Sequence, residues 1–357
     1  MCSQYATSRK FGELPVRSGD LSIGRLTVRS RVFLAPLSGI TDIPFRRLVR
    51  TFGTEIVYSE MVASGELVRK DQESLQRAGA DGCGLHAVQL AGREADAMRQ
   101  AADIVASHGA DLIDINMGCP AKKVVGGLSG SALMRDLDHA LRLIDATVEG
   151  AGDVPVTLKM RLGWDRSSLN AADLALRAEN AGVRLVTVHG RTRDQFYTGA
   201  ADWAAIGAVS RTVSIPVVAN GDLQSRADLG AMLGASGADA VMIGRAACGR
   251  PWFPALVEGT LDPLRMDECF ADLVLAHHGE MLRFYGTQAG MRHARKHLGW
   301  YLDLYERATG ANVSADRADL MRASEAERVC SMVRAVFGKT RLSDVEPEFD
   351  TSLRRAA

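Results

Sequence analysis

The feature that most constrains the fold of this sequence is a regular alternation between short β-rich runs and amphipathic stretches. The β-rich runs are apolar and occupy residues 32–37, 55–60, 87–90, 112–116, 156–160, 185–189, 216–220 and 240–243. Between them, stretches such as 93–108, 171–181 and 202–213 repeat apolar residues at three- and four-residue spacing, which is typical of helices. Strands that alternate with helices predict right-handed βαβ units and a parallel sheet.

Eight such units predict a closed (β/α)8 TIM barrel, an α/β architecture of about 250 residues. A doubly wound open sheet is the alternative, and it is expected to carry a GxGxxG motif after its first strand. The first run leads instead into the letters APLSG at residues 35–39, so this motif is absent. Residues 21–28, which precede the first run, predict a small hairpin around Gly24.

The character of the sequence changes after residue 250, where strand-like runs disappear. Residues 269–285, 289–308 and 315–337 predict three helices with polar breaks between them. We therefore expect a flexible N-terminus over residues 1–20, a barrel domain over 21–250, a small all-helical domain over 251–345 and a flexible tail over 346–357.

Composition excludes several classes of function. The 43 basic residues balance the 43 acidic ones, so any surface for nucleic acid must be a local patch. The six cysteines show neither CxxC pairs nor metal-ligand spacing, which favours a reducing compartment and argues against a metal site. The sequence lacks an apolar signal core and a membrane-length apolar run, so we expect a cytoplasmic protein without membrane association. We also expect a monomer.

The most reactive position in this scheme is Cys119, at the exit of the fourth strand. Pro120 removes a backbone donor and holds Cys119 extended, so the thiol begins a loop. Lys122 and Lys123 follow, and the Gly126-Gly127 pair would let the loop move. A free cysteine is most often an inert buried residue. Nearby cations favour instead a lowered thiol pKa or acid chemistry on an anionic substrate.

Polar residues stand at nearly every predicted strand exit, which is the face that carries the active site in TIM barrels. A lone polar residue at such a position would most often be a surface or satisfied core residue, but several on one rim favour a site. They are Pro36 to Ser38, Ser59 to Met61, Gln89, Asn116, Lys159 to Arg161, His189 to Arg191, Asn220 to Asp222, Gly244 and Arg245.

Two of these exits have the composition of a phosphate site. Loops after the seventh and eighth strands of such barrels often bind phosphate through backbone N–H groups. Small residues at Gly221 and Gly244 allow close approach, and Arg245 supplies charge. Gln89 offers a donor and an acceptor to the edge of a planar ring, and Lys159 would lie near an anionic ring. The set favours a phosphorylated planar cofactor, with flavin mononucleotide (FMN) preferred.

The predicted helical domain contains a segment in which basic and aromatic side chains alternate. Within residues 291–301 these are Arg292, Arg295, Lys296, His297, Trp300 and Tyr301. Such a mixture fits contact with the backbone and bases of a nucleic acid. Taken alone, it fits better an ordinary solvated helix face with an aromatic core side.

Four motifs carry a resemblance to a known family. FLAPLSGITDIPFR at residues 33–46, DINMGCPAKKV at 114–124, TVHGRTR at 187–193 and ANGD at 219–222 resemble tRNA-dihydrouridine synthases. The CPAKKV run is similar to the bacterial B-type branch, also called NifR3-like, and the likeness extends from about residue 22 to about residue 337. Leu37 and Ser38 stand where the family often has methionine and alanine.

The resemblance implies an FMN-binding barrel, a helical domain for tRNA, and NADPH or NADH as electron donor. By motif, Cys119 would be the proton donor in the reduction of D-loop uridines to 5,6-dihydrouridine. The residues implied to hold FMN are Pro36, Leu37, Ser38, Gln89, Lys159, His189, Asn220, Gly221, Asp222, Gly244 and Arg245. The residues assigned to the tRNA are Asn116, Lys122, Lys123, Arg191, Arg292, Arg295 and Lys296.

Two other functions stay open at this point. An FMN barrel similar to dihydroorotate dehydrogenase would act on a free pyrimidine and would not need a basic-aromatic helical domain. An RNA-binding flavoprotein whose chemistry is incidental would be indifferent to alanine at Cys119.

Overall fold

The structure, a computed structural model, describes residues 19–346 and 348, which fall into two compact units. The first unit comprises residues 19–46 and 54–244, and the second comprises residues 47–53 and 245 onward. The division after Gly244 lies slightly before residue 250, where the sequence placed it. The predicted flexible segments 1–20 and 346–357 lie outside the described residues except for 19, 20, 346 and 348.

The first unit contains a closed barrel of eight parallel strands, which confirms the predicted fold. A two-stranded antiparallel hairpin, β1 (Leu21–Ile23) and β2 (Leu26–Val28), precedes it as predicted. The barrel strands are β3 (Val32–Leu34), β4 (Ile56–Ala63), β5 (Ala87–Ala91), β6 (Leu112–Met117), β7 (Val156–Arg161), β8 (Val186–His189), β9 (Val217–Asn220) and β10 (Ala240–Ile243). Pairing of Val241 in β10 with Val32 in β3 closes the barrel.

Helices follow the strands as the alternation predicts. They are α1 (Ile43–Arg50), α2 (Ser64–Val68), α3 (Gln72–Ala78), α4 (Ala95–Ser107), α5 (Lys122–Gly126), α6 (Leu137–Ala151), α7 (Ala171–Asn180), α8 (Trp203–Ser210) and α9 (Asp228–Ser236). The predicted loop after Cys119 is therefore partly helical, because residues 122–126 form a helix, and a 3₁₀ turn, Gly130–Arg135, follows.

The two ends of the barrel differ in polarity. Leu21, Ile23 and Val28 of the hairpin are buried in one apolar cluster with Leu112 and Leu185, which lie at or beside the starts of their strands. Burial of such side chains contributes about 1.5–3 kcal/mol each. The apolar side chains of the hairpin therefore close the N-terminal end of the barrel. The polar strand exits lie at the opposite end.

The second unit is helical, as predicted, and has an aromatic core. Its helices are α10 (Phe253–Glu258), α11 (Phe270–Tyr285), α12 (Thr287–Thr309), α13 (Ser314–Arg322), α14 (Ala326–Phe337) and α15 (Leu342–Val345). The ring centroid of Phe270 lies 4.8 Å from that of Phe337, 5.7 Å from that of Tyr301 and 6.3 Å from that of Trp252. These edge-on and tilted contacts are the favoured aromatic geometries.

Two predictions for this part of the chain need correction. The helix predicted over residues 315–337 is two helices, because the backbone at Ala323 (φ −56°, ψ 134°) and Glu325 (φ −111°, ψ 131°) is extended. Glu346, placed in the flexible tail, is buried, and its carboxylate accepts hydrogen bonds from Arg250 and Trp252. None of the helices in the described part of the chain is long and apolar enough to cross a membrane.

Candidate active site

The site forms where neighbouring parallel strands end, because their polar side chains come into register at one rim. Asn116 in β6 is opposite Lys159 in β7, and Arg161 in β7 is opposite His189 in β8. His189 is in turn opposite Asn220 in β9. The strand exits chosen from the sequence therefore converge in the structure.

The backbone of Cys119 is held on both sides. The Asn116 Oδ1 atom accepts hydrogen bonds from the backbone N–H groups of Gly118 (3.2 Å) and Cys119 (3.0 Å). The Cys119 carbonyl accepts from the Ser131 N–H (3.1 Å) and from its Oγ (2.9 Å). The Cys119 backbone is therefore fixed at the exit of β6 by a side chain on each flank, and Asn116 has a clear positioning role.

Gly130 makes the return of this loop possible. Its φ is +60°, and a Cβ at this position would lie 2.8 Å from the Cys119 carbonyl oxygen and 2.8 Å from Val124 Cγ1. Any side chain would therefore displace the residue that carries the thiol, and a positive φ also favours glycine.

Two cations of β7 lie near the thiol, and the sequence alone did not connect them with it. Lys122 and Lys123 are exposed on α5. The Cys119 thiol interacts electrostatically with Lys159 and Arg161 of β7. Arg161 also donates from Nε to the Gly118 carbonyl at 2.8 Å, which joins β7 to the cysteine loop. Arg161 stands at a noted strand exit, but sequence reasoning assigned it no role.

A chain of hydrogen bonds leads from a buried carboxylate to the cysteine. Gln89 Nε2 donates to Asp114 Oδ2 at 2.7 Å, and Asn116 Nδ2 donates to Gln89 Oε1 at 2.8 Å. Thr157 Oγ1 donates to the second carboxylate oxygen at 2.7 Å. An ionised carboxylate only accepts, so it turns the Gln89 amide and thereby directs the Asn116 oxygen to the backbone N–H of Cys119.

Burial sets the ionisation of this chain. It raises the pKa of Asp114 to about 6, although hydrogen bonds from Thr157 and Gln89 and the charge of Lys159 favour the ionised form. Burial likewise lowers the pKa of the Lys159 ammonium to about 8, against the attraction of Asp114 and of Cys119. Asp114 lies within a strand, and the alternation of apolar and polar residues gave no signal of its role.

Lys159 is tied to the next strand but one. Its Nζ donates to Asn220 Oδ1 at 3.0 Å, while Asn220 Nδ2 donates to the Met242 carbonyl at 2.8 Å. Lys159 is therefore directed across the strand exits, and Asn220, predicted to contact a cofactor, also holds this lysine.

Arg191, which is buried, and Asp222, which is half-buried, form an ion pair at the exits of β8 and β9. Arg191 Nη2 and Asp222 Oδ2 are 2.6 Å apart, and the arginine also donates to the carbonyls of Thr198 and Gly199. The Asp222 carboxylate accepts from the Ala201 N–H at 2.8 Å. The pair shapes the loop after β8, and the predicted contact of Arg191 with RNA stays a prediction.

Gly221 provides the close approach that a phosphate site needs. Its φ is +118°, and a Cβ there would lie 2.8 Å from His189 Cδ2 and 2.8 Å from Ala201 Cβ. Within the described residues, the amides of Gly221 and Gly244 donate no hydrogen bond. Such N–H groups, beside Lys159, fit the phosphate and ring of the predicted cofactor.

The remaining predicted cofactor contacts lie at the first and last strand exits. Pro36 and Leu37 are half-buried and Ser38 is exposed, and the turn is closed by hydrogen bonds between Leu37 and Thr41. Arg245 is exposed and begins the second unit. The described residues contain no group of three or more His, Cys, Asp or Glu side chains arranged to hold a metal ion.

The basic segment predicted to bind RNA is divided between surface and core. Arg292 is exposed, Arg295 and Lys296 are half-buried, and His297 and Tyr301 are buried. His297 and Tyr301 pack in the core of the second unit, as expected for an ordinary solvated helix face with an aromatic core side. Contact of the basic side chains with RNA stays a prediction.

Comparison with known proteins identifies the family. The family model for Dihydrouridine synthase (Dus) matches residues 33–336. A "Probable tRNA-dihydrouridine synthase" of Rhizobium leguminosarum bv. phaseoli is 56% identical over 306 residues, which cover 86% of this chain and 95% of that protein. A "tRNA-dihydrouridine synthase B" of Pseudomonas putida is 43% identical over 328 residues, covering 90% and 95%.

A solved structure shares the fold at low identity. Histamine dehydrogenase from Rhizobium sp. 4-9 superposes with a TM-score of 0.51 at 15% identity, over 73% of this chain and 50% of that one. This likeness supports the barrel architecture, while the sequence relatives carry the assignment. The chain belongs to the dihydrouridine synthase family.

Proposed function

We propose that this protein reduces uridines of tRNA to 5,6-dihydrouridine, with FMN as cofactor, NADPH as electron donor and Cys119 as proton donor. The observation that carries the proposal is the fixed Cys119 backbone at the exit of β6, with Lys159 and Arg161 acting on its thiol. Family membership and the names of the relatives support tRNA as substrate.

The residues present fit a flavin phosphate and ring. The backbone N–H groups of Gly221 and Gly244 would donate hydrogen bonds to phosphate oxygens, and Arg245 would add charge. Lys159 would lie beside the ring, where positive charge stabilises the reduced form. Bound FMN would supply the hydride for C6 of the uracil. Pro36 to Ser38, Gln89, His189, Asn220 and Asp222 remain the other proposed contacts.

Cys119 would complete the reduction by donating its proton to C5 of the uracil. Asn116 and Ser131 fix the backbone on either side of it, so the Sγ atom has a limited range of positions. As a general acid, the thiol would give up its proton in the step that completes the reduction. Lys159 and Arg161 would stabilise the negative charge that develops on the ring.

The tRNA would be held by local basic side chains, because the chain is neutral overall. Lys122 and Lys123 are exposed on α5, directly after the cysteine, and Arg292 is exposed on α12. Arg295 and Lys296 are the other proposed contacts. The uridine would have to leave its stack to reach the thiol. A monomeric protein of the cytoplasm is part of the same proposal.

The proposal is tested with purified protein, FMN, NADPH and an unmodified tRNA transcript. Mass spectrometry of the digested nucleosides should show uridine heavier by two hydrogen atoms, and free uracil or orotate should not stimulate NADPH oxidation. Flavin-loaded protein that makes no dihydrouridine would overturn the proposal, and rapid reduction of a free pyrimidine would favour the alternative substrate.

A further inference from the structure

Two arginine side chains lie over the ring of a tryptophan in the loop after β7. The guanidinium carbon of Arg193 lies 4.6 Å from the centroid of the Trp164 ring, and that of Arg135 lies 4.9 Å from it. Arg193 also lies over Phe196 at 5.0 Å. Arg135 ends the 3₁₀ turn that follows the cysteine loop, and Arg193 follows β8. All these residues therefore follow C-terminal strand ends, where Cys119 lies.

Three arginines on helices of the first unit are held differently, by carboxylates. Arg77, Arg99 and Arg177 each pair with a carboxylate of the same helix at 3.0 Å or less. Within the described residues, neither Arg135 nor Arg193 has a carboxylate oxygen within 4.0 Å. A cation–π contact orients a guanidinium without neutralising it, so both charges remain available to an anion.

In the described part of the chain, the two neighbouring carboxylates form no ion pair with these arginines. The Asp165 carboxylate accepts hydrogen bonds from Ser167 Oγ (2.6 Å) and Ser168 Oγ (2.9 Å). The Asp194 carboxylate accepts from the Thr192 hydroxyl. Both acids therefore accept hydrogen bonds from hydroxyl groups, while the two arginines lie over the Trp164 ring.

Arg161 connects this surface to the thiol. Its Nη1 donates to the carbonyls of Thr192 and Phe196 at 2.8 Å each, and its Nε donates to the Gly118 carbonyl at 2.8 Å. One guanidinium thus holds both the loop that carries Arg193 and the residue before Cys119. The stacked arginines are therefore part of the same rigid rim as the reacting group.

We propose that Arg135 and Arg193, stacked on Trp164, form an RNA-phosphate clamp beside the thiol. The inference rests on the proposed function and adds which residues grip the substrate backbone. Guanidinium groups bind phosphate through two parallel N–H donors, which suits a backbone better than a single point charge. Stacking on Trp164 orders both side chains in advance, so less entropy is lost when the RNA binds.

The test measures the affinity for an unmodified tRNA transcript at several salt concentrations. The double variant Arg135→Gln/Arg193→Gln should bind more weakly, with a slope of log affinity against log salt that is flatter by about 0.7–0.9 for each lost phosphate contact. The matched control, Arg99→Gln/Arg177→Gln, removes two exposed arginines that already have carboxylate partners and should keep the wild-type slope. Arg135→Lys/Arg193→Lys keeps the charges and should retain most of the slope.

The outcomes separate this inference from the proposed function. Wild-type protein that binds and modifies tRNA while the glutamine variant shows the same slope would overturn the clamp alone. A lowered melting temperature with an unchanged slope would assign the stack to packing and would also overturn it. Wild-type protein that does not bind tRNA at any salt concentration would overturn both. Bound flavin and melting temperature, measured on each variant, report whether the barrel is intact.

Discussion

The two units of this chain each bury a polar cluster, and the clusters are built on different principles. In the barrel, Asp114, Gln89 and Asn116 form a hydrogen-bonded chain that ends at the backbone of Cys119. In the helical unit, the His277 Nδ1 atom and the Tyr301 hydroxyl are 2.9 Å apart, and the rings of His277 and His297 lie 4.7 Å apart, edge to face.

The difference lies in charge. The barrel cluster keeps an ionisable carboxylate near a buried lysine and leads to a rim. The helical cluster is neutral, because burial lowers the pKa of His277 to about 3 and that of His297 well below its usual value. Buried charge is costly and is concentrated at functional sites, whereas a neutral polar cluster serves packing. We therefore expect substitutions in the barrel cluster to affect the reaction rate, and substitutions in the helical cluster to affect stability.

The largest effect is expected from Cys119→Ala. Loss of the proton donor should slow dihydrouridine formation by roughly 10²–10⁴-fold, the usual range for general acid catalysis. The variant should keep its flavin and its reduction by NADPH, because neither step needs the thiol. Stopped-flow flavin absorbance and nucleoside mass spectrometry measure the two steps, with Cys330→Ala as a control at a half-buried cysteine of the helical unit. Wild-type modification rates in Cys119→Ala would refute the role.

The next effect is expected from Asp114→Asn, which replaces the acceptor that orients Gln89. Uridine reduction should fall by about 10- to 100-fold, equivalent to one lost hydrogen bond to a charged group. In the wild type the rate should decline as the pH drops through about 6, where Asp114 takes up a proton, and the variant should lack this decline. An identical acid limb in both proteins would exclude Asp114 as its source. Flavin content controls for cofactor loss.

The helical cluster is expected to affect stability in acid. The folded pKa of His277, about 3, lies below its ordinary value of 6.5, so the unfolded chain binds more protons between these values. This contribution is complete above about pH 6.5 and is lost as the pH falls from 6.5 towards 3. Between pH 7 and pH 4.5, the melting temperature of His277→Gln should therefore fall less than that of the wild type. The exposed His108 offers a control, His108→Gln, which should follow the wild type. Parallel curves for His277→Gln would contradict the account.

The smallest effect is expected from removal of the basic side chains of α12. Alanine at Arg292, Arg295 and Lys296 should weaken tRNA binding and flatten its salt dependence, chiefly through the exposed Arg292. The Arg295 guanidinium is partly engaged, because its Nη2 donates to the Ala323 carbonyl at 3.5 Å. Flavin content should not change. If plots of log affinity against log salt have the same slope and intercept for the variant and the wild type, this segment is an ordinary solvated helix face.

Much of the barrel could be predicted because its signals are local. The periodicity of apolar residues indicates each strand and helix. In a parallel barrel the C-terminal ends of all strands, with their polar residues, lie at one rim. The position of Cys119, Lys159 and His189 followed from that geometry. The family motifs then added the chemistry, which spacing alone leaves open.

The features that could not be predicted from the sequence depend on contacts between residues that are far apart in the chain. Asp114 acquires its role from Gln89, which is 25 residues earlier and meets it only through strand register. Trp164 meets Arg135 and Arg193 through loops of different strands. The burial of Tyr301 depends on which face of α12 is inward, and the basic residues around it in the sequence do not indicate that face.

The central claim is that Asp114 acts on the reaction through Cys119, and a double-mutant cycle tests it most directly. Single-turnover rates of uridine reduction are measured for the wild type, Cys119→Ala, Asp114→Asn and the double variant, each with its flavin reduced beforehand. Groups that act as one unit give strongly non-additive effects. Asp114→Asn should slow the wild type but leave the residual rate of Cys119→Ala unchanged. Equal slowing in both backgrounds would show that Asp114 acts independently of the cysteine and would contradict the account.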